Sequence, residues 1–277
     1  MTMNRRHGPV RSHKPAQPWW QGRLRRSRLW VAGVVAAAAT AAVTGYLTTA
    51  FDKTLSTVTG ADAAPPLTWT TTVNRDPCEN ATSRYVLPIL PRRPAEEGGI
   101  SESQERDALD GGYTDAVVTV QGKSGVAVVL HALRVEVVQR GAPAGVAVPK
   151  NRQCGAITPR NFVVDLDERE PHSRPFAGVD DNGDEQSAVR FPFRVSDGDP
   201  EVFHVYGATR TCDCRWRILL DWSSQDKKGT AVIDAGGRLF RTVGVKDLPG
   251  YDVASAGDSK YRWRRGGPPL DPLPLRE

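Results

Sequence analysis

Apolar and polar residues alternate along most of residues 67–245, and this period of two is typical of β-strands with one buried face. Leu133 and Val135 share one face, for example, whereas Arg134 and Glu136 share the other. In the segment 212–222, the same alternation predicts one inward face, which consists of Cys212, Cys214, Trp216, Ile218, Leu220 and Trp222. About nine such segments are separated by Gly, Pro, Asp and Asn: residues 67–73, 115–121, 127–138, 162–167, 191–195, 201–206, 212–222, 230–234 and 239–243. The pattern predicts a mainly β domain, specifically an antiparallel β-sandwich of the Ig-like type.

One segment within this domain predicts a helix. Ser101 is followed three residues later by Gln104, which is the spacing of a capping box. Two glycines, at 111 and 112, follow the segment and are typical of a helix end. We therefore expect one short helix in an otherwise β domain.

The segments that flank the domain have a composition typical of weak order. Residues 52–66 end in GADAAPP and are expected to form a linker. Residues 246–277 are rich in Pro and Gly near their end and are expected to form a weakly ordered C-terminal tail.

An uncharged apolar run covers residues 29–51. Its 23 residues are long enough to cross the hydrocarbon core of a bilayer, about 30 Å thick, as a helix. Trp30 and Tyr46 lie near its two ends, where amphipathic aromatic side chains favour the headgroup region. The run therefore predicts a transmembrane helix.

The charges beside the apolar run predict its orientation. Residues 1–28 contain eight basic residues and no acidic residue, and the cytoplasmic flanks of membrane helices are rich in Lys and Arg. The basic residues that set the topology are Arg23, Arg25, Arg26 and Arg28. We expect a single-pass signal anchor with a cytoplasmic N-terminus and an extracytoplasmic C-terminal domain. Residues 1–28 would form a disordered tail on the anionic inner leaflet, so membrane lipid is one expected partner.

A cleaved signal peptide is the alternative to an anchor. Ala61-Asp62-Ala63 has the small-residue pattern of a cleavage site, but it lies about ten residues beyond the apolar run. The run also exceeds the apolar region of a signal peptide, which is roughly 7–15 residues long. The uncleaved anchor is therefore the prediction.

The net charge of the whole chain does not describe its main domain. The formal charge is +5 at pH 7, but eight of the 37 Lys and Arg residues lie in residues 1–28. The rest of the chain carries 29 basic and 32 acidic residues, and is therefore slightly acidic. No nucleic-acid partner is expected for it.

Four cysteines lie on the predicted extracytoplasmic side, where disulfides persist. They are Cys78, Cys154, Cys212 and Cys214. Residues i and i+2 of an extended strand are about 6.6 Å apart with parallel side chains, a poor geometry for a mutual bond. We therefore expect two structural disulfides, in which Cys212 and Cys214 each bond to one of Cys78 or Cys154. The sequence leaves the order open, and a bond between Cys212 and Cys214 in a distorted turn is the alternative.

No established catalytic or metal-binding motif is legible in the sequence. His131, His172 and His204 are scattered, without the spacing of metal ligands or of a nucleophile and its base. Asp180, Asn182 and Asp184 have the spacing of the first ligands of a calcium loop, but Glu185 and Phe191 replace its required Gly and Glu. The sequence therefore predicts no catalytic residue, no metal site and no cofactor.

Several stretches together resemble a known family. They are GAITPRNFVVDLD, DPEVFHVYGATRTCDCRWRILLDW, GTAVID, FRTVG and LPGY. They resemble a family of uncharacterised single-pass membrane proteins of high-GC Gram-positive bacteria. The resemblance implies membrane anchoring and an extracytoplasmic β-rich domain, but it transfers no catalytic residue and no ligand.

These patterns favour a membrane-anchored binding or interaction module of the cell envelope, with an envelope protein or polymer as partner. Two alternatives remain open. One is an envelope hydrolase whose catalytic residues meet only in the folded chain. The other is a transmembrane signalling component whose basic tail contacts a cytoplasmic partner.

Overall fold

The structure is a computed structural model that describes residues 64–75, 84–95, 99–150, 160–179, 182, 184–257 and 260–266. These residues belong to one compact unit, Gly60–Glu277. The unit is mainly β, as predicted. The helix α1 spans Glu102–Asp107, and the strands are β1 Leu67–Asn74, β2 Arg84–Leu87, β3 Leu109–Gly111, β4 Tyr113–Gly122, β5 Val128–Gly141, β6 Val146–Pro149, β7 Asn161–Asp165, β8 Ser173–Phe176, β9 Gly178–Val179, β10 Glu185–Gln186, β11 Phe193–Val195, β12 Glu201–Ala208, β13 Asp213–Ser224, β14 Lys227–Ile233, β15 Phe240–Val243, β16 Tyr251–Ser255 and β17 Tyr261–Arg265.

Two large sheets and two hairpins make up the described fold. The first sheet has the strand order β1-β4-β12-β7-β8. The second has the order β11-β5-β13-β15-β3-β2-β6, and β14 pairs with β13 beside this path. The pairs β9 with β10 and β16 with β17 form the two-stranded sheets. In strands of both large sheets, buried and more exposed side chains alternate, because the sequence places apolar residues at every second position.

The alternation along β13 produces the centre of the core. The buried side chains of this strand are Cys214, Trp216, Ile218, Leu220 and Trp222. They form one apolar cluster with residues of the first sheet, such as Val118 and Phe203. The two large sheets therefore share a core, and the face of β13 that the sequence predicts to be buried is confirmed.

The pairing is not purely antiparallel, which differs from the prediction. β12 pairs with β7 in parallel, and β15 pairs with β3 in parallel. Parallel neighbours need a connection of roughly a dozen residues or more. Residues 166–200 supply such a connection between β7 and β12, because this stretch passes through β8 to β11 before it returns to the first sheet.

The predicted helix is present but shorter than its sequence segment. The backbone N–H of Ser101 donates to Gln104 Oε1 at 2.9 Å, which is the reciprocal half of the capping box. The helix ends at Asp107, and residues 109–111 continue as strand β3. The tertiary pairing of these three residues with β2 and β15 therefore replaces the last helical turn.

Part of the segment after residue 245 is more ordered than its composition predicts, as the described residues 251–255 and 261–265 show. β16 and β17 form an antiparallel hairpin, in which Val253 lies opposite Trp263. Trp263 Nε1 donates to the Pro91 carbonyl at 2.8 Å, and Arg84 pairs with Asp252 at 2.6 Å. These two contacts attach the hairpin to the segment after β2 and to β2 itself, so residues 251–255 and 261–265 differ from the weakly ordered tail that their composition predicts.

The membrane prediction lies outside the described residues. Residues 1–28, with the four topology-setting arginines, and the apolar run 29–51 belong to the part of the chain that the structure does not describe. Within the described ranges, no helix has the length and apolar character needed to span a bilayer.

Candidate functional site

Strand β5 has a free edge over most of its length. On one side it pairs with β13 along residues 129–141. On the other side it pairs with β11 only at residues 128–130, and no other described strand pairs with it there. Residues 131–141 therefore present an open strand edge, and such edges are natural sites for pairing with another chain.

The connection between β7 and β8, residues 166–172, runs beside this edge together with Ser173, the first residue of β8. Ser173 Oγ donates a hydrogen bond to the Leu133 carbonyl at one end. At the other end, Arg140 donates to two carbonyl groups of the connection, including that of Glu168 at 2.6 Å. The connection is therefore attached to β5 at both ends of the free edge and passes beside it in between.

A cleft of about 560 Å³ lies between the edge and the connection. Strand β5 contributes residues 133–137 and Arg140, the connection contributes residues 169–172, and Ser173 of β8 and Leu219 of β13 complete the lining. The volume falls in the range of about 300–1,000 Å³ that is usual for ligand sites. We refer to this feature as the β5 edge cleft.

Two charged side chains of the cleft are already paired on the outer face of the sheet. Arg134 donates two hydrogen bonds to Asp221, at 2.7 and 2.9 Å, and Glu136 accepts one from Arg217 at 2.7 Å. The bonds from Arg134 lower the pKa of Asp221, and the same contact raises the pKa of Arg134. These two pairs connect the outer face of β5 to that of β13, and they occupy the charges of Arg134 and Glu136.

Three other charged side chains of the cleft have no ion-pair partner among the described residues. They are Arg140, Arg169 and Glu170. Arg140 binds only carbonyl groups and, at 3.8 Å, the sulfur of Cys214. These three side chains give the lining of the cleft two guanidinium groups and one carboxylate, which is a small excess of positive charge.

The β7–β8 connection forms one wall of the cleft, and we call it the cleft wall. Asp167 fixes one end of the cleft wall to the turn that follows β12. Its carboxylate accepts hydrogen bonds from Thr209 Oγ1 at 2.7 Å, from Thr211 Oγ1 at 2.8 Å and from the backbone N–H of Arg210 at 2.8 Å. Burial raises the pKa of Asp167, but these hydrogen bonds lower the pKa further than burial raises it. The ionised carboxylate therefore stabilises the wall at neutral pH.

Asp165 has the opposite electrostatic character. Burial is the largest influence on its pKa and raises it, although the Asp167 backbone N–H donates to its carboxylate at 2.9 Å. An acid whose pKa is raised in the folded state destabilises that state when it ionises. The two aspartates therefore form a matched pair for a test of the wall.

We expect Asp167→Asn to lower the free energy of unfolding by about 1–2 kcal/mol at pH 7, because the Asn amide cannot accept every bond that the carboxylate accepts. Since the folded pKa of Asp167 is lowered, its contribution is full above about pH 4 and is lost as pH falls through the folded value. Denaturant unfolding should show a larger difference at pH 7 than at pH 3. Asp165→Asn, the control, should be neutral or slightly stabilising at pH 7; a loss equal to that of Asp167→Asn would contradict the assignment.

The turn that Asp167 holds also contains a disulfide. Cys212 and Cys214 are bonded to each other, with their Cα atoms 5.3 Å apart. The predicted pairing of these two residues with Cys78 and Cys154 is therefore wrong. The prediction assumed that both residues lie in an extended strand, but β13 begins only at Asp213 and Cys212 lies in the turn before it. Cys78 and Cys154 lie outside the described residues.

The disulfide lies between the turn that follows β12, the cleft wall and Arg140 of β5. Cys212 Sγ lies 3.2 Å from Thr209 Oγ1, and Cys214 Sγ lies 3.8 Å from both the Leu166 carbonyl and Arg140 Nη1. Both cysteines are buried, and Cys214 has no exposed surface. The disulfide is therefore a structural brace for the cleft wall. Its burial does not suit exchange with a partner thiol.

We expect Cys212→Ala with Cys214→Ala to lower the free energy of unfolding by about 1.5 kcal/mol, since the bond closes a loop with one intervening residue. Such a loop stabilises less than the longer loops of the predicted pairing. Denaturant unfolding of the double variant and the original chain measures the difference. A double variant as stable as the original chain would show that the bond braces nothing.

The three histidines of the domain lie at three separate places. His131 Nε2 is 2.7 Å from Ser223 Oγ on the exposed outer face of the second sheet. Asp221 lies close enough to interact with His131 electrostatically, but its carboxylate binds Arg134 and Thr230. A serine, a histidine and an aspartate therefore meet here without the aspartate orienting the histidine, which a catalytic triad requires.

The other two histidines contact acids. His204 Nδ1 lies 3.1 Å from Asp115 Oδ2, and Asn74 Nδ2 donates to the same oxygen at 2.9 Å. Asp115 is fully buried, so these two contacts stabilise its carboxylate. His172 is exposed beside Glu168 at 3.7 Å. None of the described contacts of His204 involves a serine.

The sequence did not indicate the cleft residues. None of Arg140, Asp167 and Ser173 belongs to a recognisable sequence motif. One signal was available, because the predicted strand at 127–138 is much longer than the predicted strand at 191–195 that pairs with it. Within the described ranges, no group of acidic, histidine or cysteine side chains has the arrangement of a metal site.

The fold and the cleft together define a mainly β domain with a ligand-sized cleft at a strand edge. Comparisons of the chain with protein-family models, with curated proteins and with solved structures found no match. The functional argument therefore starts from the cleft itself.

Proposed function

We propose that this protein is a membrane-anchored, extracytoplasmic binding module of the cell envelope, and that its ligand binds in the β5 edge cleft. The anchor is the apolar run 29–51, and the basic residues before it orient the chain with the N-terminus in the cytoplasm. The β-rich domain, proposed to be a sandwich of the Ig-like type, carries the site. The resemblance to the single-pass family of high-GC Gram-positive bacteria is part of the same proposal.

One observation carries the binding proposal. The β5 edge cleft has a ligand-sized volume, and its wall is held in place before any ligand binds. Asp167 fixes the wall through three donors, and the Cys212–Cys214 disulfide lies beside it. A site that is ordered in advance loses less entropy on binding, which favours affinity.

An envelope hydrolase is the second candidate, and His131 with Ser223 is the observation that favours it. The pair lies on an exposed sheet face, where water screens any charge that develops. Asp221 is bound to Arg134 instead of to the histidine. Binding at the cleft therefore has the stronger support.

Photo-crosslinking in cells that produce the full chain tests the binding proposal. A benzoylphenylalanine at Arg169 places the reactive group in the cleft, and the same residue at Lys228 places it on an exposed strand elsewhere. We expect a discrete crosslinked product from position 169 that position 228 does not give. Addition of Glu170→Trp, which fills the cleft, should remove that product.

Two outcomes would overturn the binding proposal. One is a pattern of products that is the same from positions 169 and 228. The other is a product from position 169 that persists in the Glu170→Trp background, because the ligand would then not depend on the open cleft.

A further inference from the structure

We infer that the ligand of the β5 edge cleft is an extended peptide segment of a partner protein, which adds to β5 as a further strand. This inference rests on the proposed function and specifies the ligand class for the same site. It follows from three features of the cleft: its main-chain groups, its length and its charge.

The main-chain groups of the free edge require a partner with strand spacing. The Leu133 carbonyl accepts a hydrogen bond from Ser173 at the start of β8, which shows that this carbonyl points away from β13. N–H and C=O groups alternate between the two edges of a strand, so the groups of Val135 and Val137 point to the same side. The described strands provide no ladder partner for them there. A peptide backbone repeats donors and acceptors at the matching interval, and edge addition is a common mode of peptide recognition.

The length of the open edge limits the peptide to a short segment. Ser173 occupies the Leu133 end, and the contacts of Arg140 occupy the other. The interval between Leu133 and Arg140 is roughly 23 Å, at about 3.3 Å for each residue of a strand. The side chains of Leu133 and Val135 are buried in the core, so they do not occupy the cleft above the edge.

The charge of the cleft indicates an acidic group on the peptide. Arg140 and Arg169 have no ion-pair partner among the described residues, whereas Arg134 and Glu136 are already paired with residues of β13. A carboxylate of the peptide, on an Asp or Glu side chain or at a C-terminus, would form charge-assisted hydrogen bonds with these guanidinium groups. The proposed ligand is therefore an extended segment with an acid near the Arg140 end.

A library of random eight-residue peptides, displayed on phage and selected on the full chain, provides the probe. We expect selected peptides to be rich in β-forming residues and to carry an acid. Synthetic copies should bind the full chain and the Lys228→Trp control equally, and should lose at least tenfold in affinity for Glu170→Trp. Arg169→Gln should weaken the acidic peptides severalfold.

Two measurements separate strand addition from other peptide contacts. N-methylation of alternate peptide residues removes main-chain donors without changing any side chain, and in one of the two registers it should weaken binding at least tenfold. Amide hydrogen exchange should slow at Val135 and Val137 when the peptide binds, whereas the Arg134 amide, which faces β13, should change little.

Peptides that compete for the cleft but tolerate N-methylation in both registers would overturn strand addition and leave the binding proposal intact. A selection that enriches no cleft-dependent peptide would also overturn strand addition. The crosslinking result at position 169 decides the binding proposal separately, because it does not depend on the chemical class of the ligand.

Discussion

Replacement of Trp216 by alanine is expected to lower the free energy of unfolding by about 3–5 kcal/mol, as large-to-small changes of buried aromatics do. Trp216 has no exposed surface and packs on Phe240, with the ring centroids 4.8 Å apart. Its Nε1 donates to Thr242 Oγ1 at 3.0 Å. The backbone of Gly207 touches the indole so closely that an added Cβ would overlap it, which shows how tightly the ring is enclosed.

Denaturant unfolding followed by far-ultraviolet circular dichroism measures this effect without depending on tryptophan fluorescence. Trp216→Phe is the matched variant, because it keeps an aromatic ring against Phe240 and loses the hydrogen bond to Thr242. It should cost less than Trp216→Ala. A cost below about 1 kcal/mol for the alanine variant would contradict the shared core of the two large sheets.

Asp110→Leu is expected to cost about 3–5 kcal/mol, because it leaves a buried ammonium group without its counter-ion. Lys150 Nζ lies 3.0 Å from Asp110 Oδ1, and the two side chains are only 2% and 6% exposed. The same nitrogen lies 5.0 Å from the ring centroid of Tyr85, which is too weak a contact to replace a carboxylate.

The double variant Asp110→Leu with Lys150→Met supplies the control, because it replaces both charges by apolar side chains of similar length. Since an apolar replacement of a buried ion pair is often neutral, we expect it to recover most of the lost stability. The same denaturant unfolding measures both variants. Equal losses in the single and double variants would show that the cost comes from packing, and would contradict the role of the isolated charge.

The alternation of residues was sufficient to predict the β class and the buried face of β13. The alternation depends only on local geometry, so Trp216, Ile218 and Leu220 could be assigned to the core without knowledge of their partners. Composition was a weaker guide. The segment around Trp263 contains the same alternation, but its glycines, prolines and arginines led to a weakly ordered tail where the structure has a hairpin.

The disulfide and the cleft depend on contacts between residues far apart in sequence. Cys212 is displaced from the extended path by a turn, and that turn is held by Asp167, more than 40 residues earlier. The cleft exists because Ser173 and Arg140 attach the β7–β8 connection to the edge of β5. No local pattern specifies either contact, so the sequence could supply the strands but not the site between them.

The oxidation state of Cys212 and Cys214 in living cells tests most directly whether the domain works outside the cytoplasm. Cys78→Ala with Cys154→Ala leaves these two residues as the reporters. Cells producing that variant are denatured in N-ethylmaleimide to block free thiols, then reduced and treated with a mass-tagged maleimide. A disulfide-bonded pair in an oxidising compartment predicts two tags on each chain. Chains that carry no tag would place both thiols in a reducing compartment and contradict the proposed extracytoplasmic binding module.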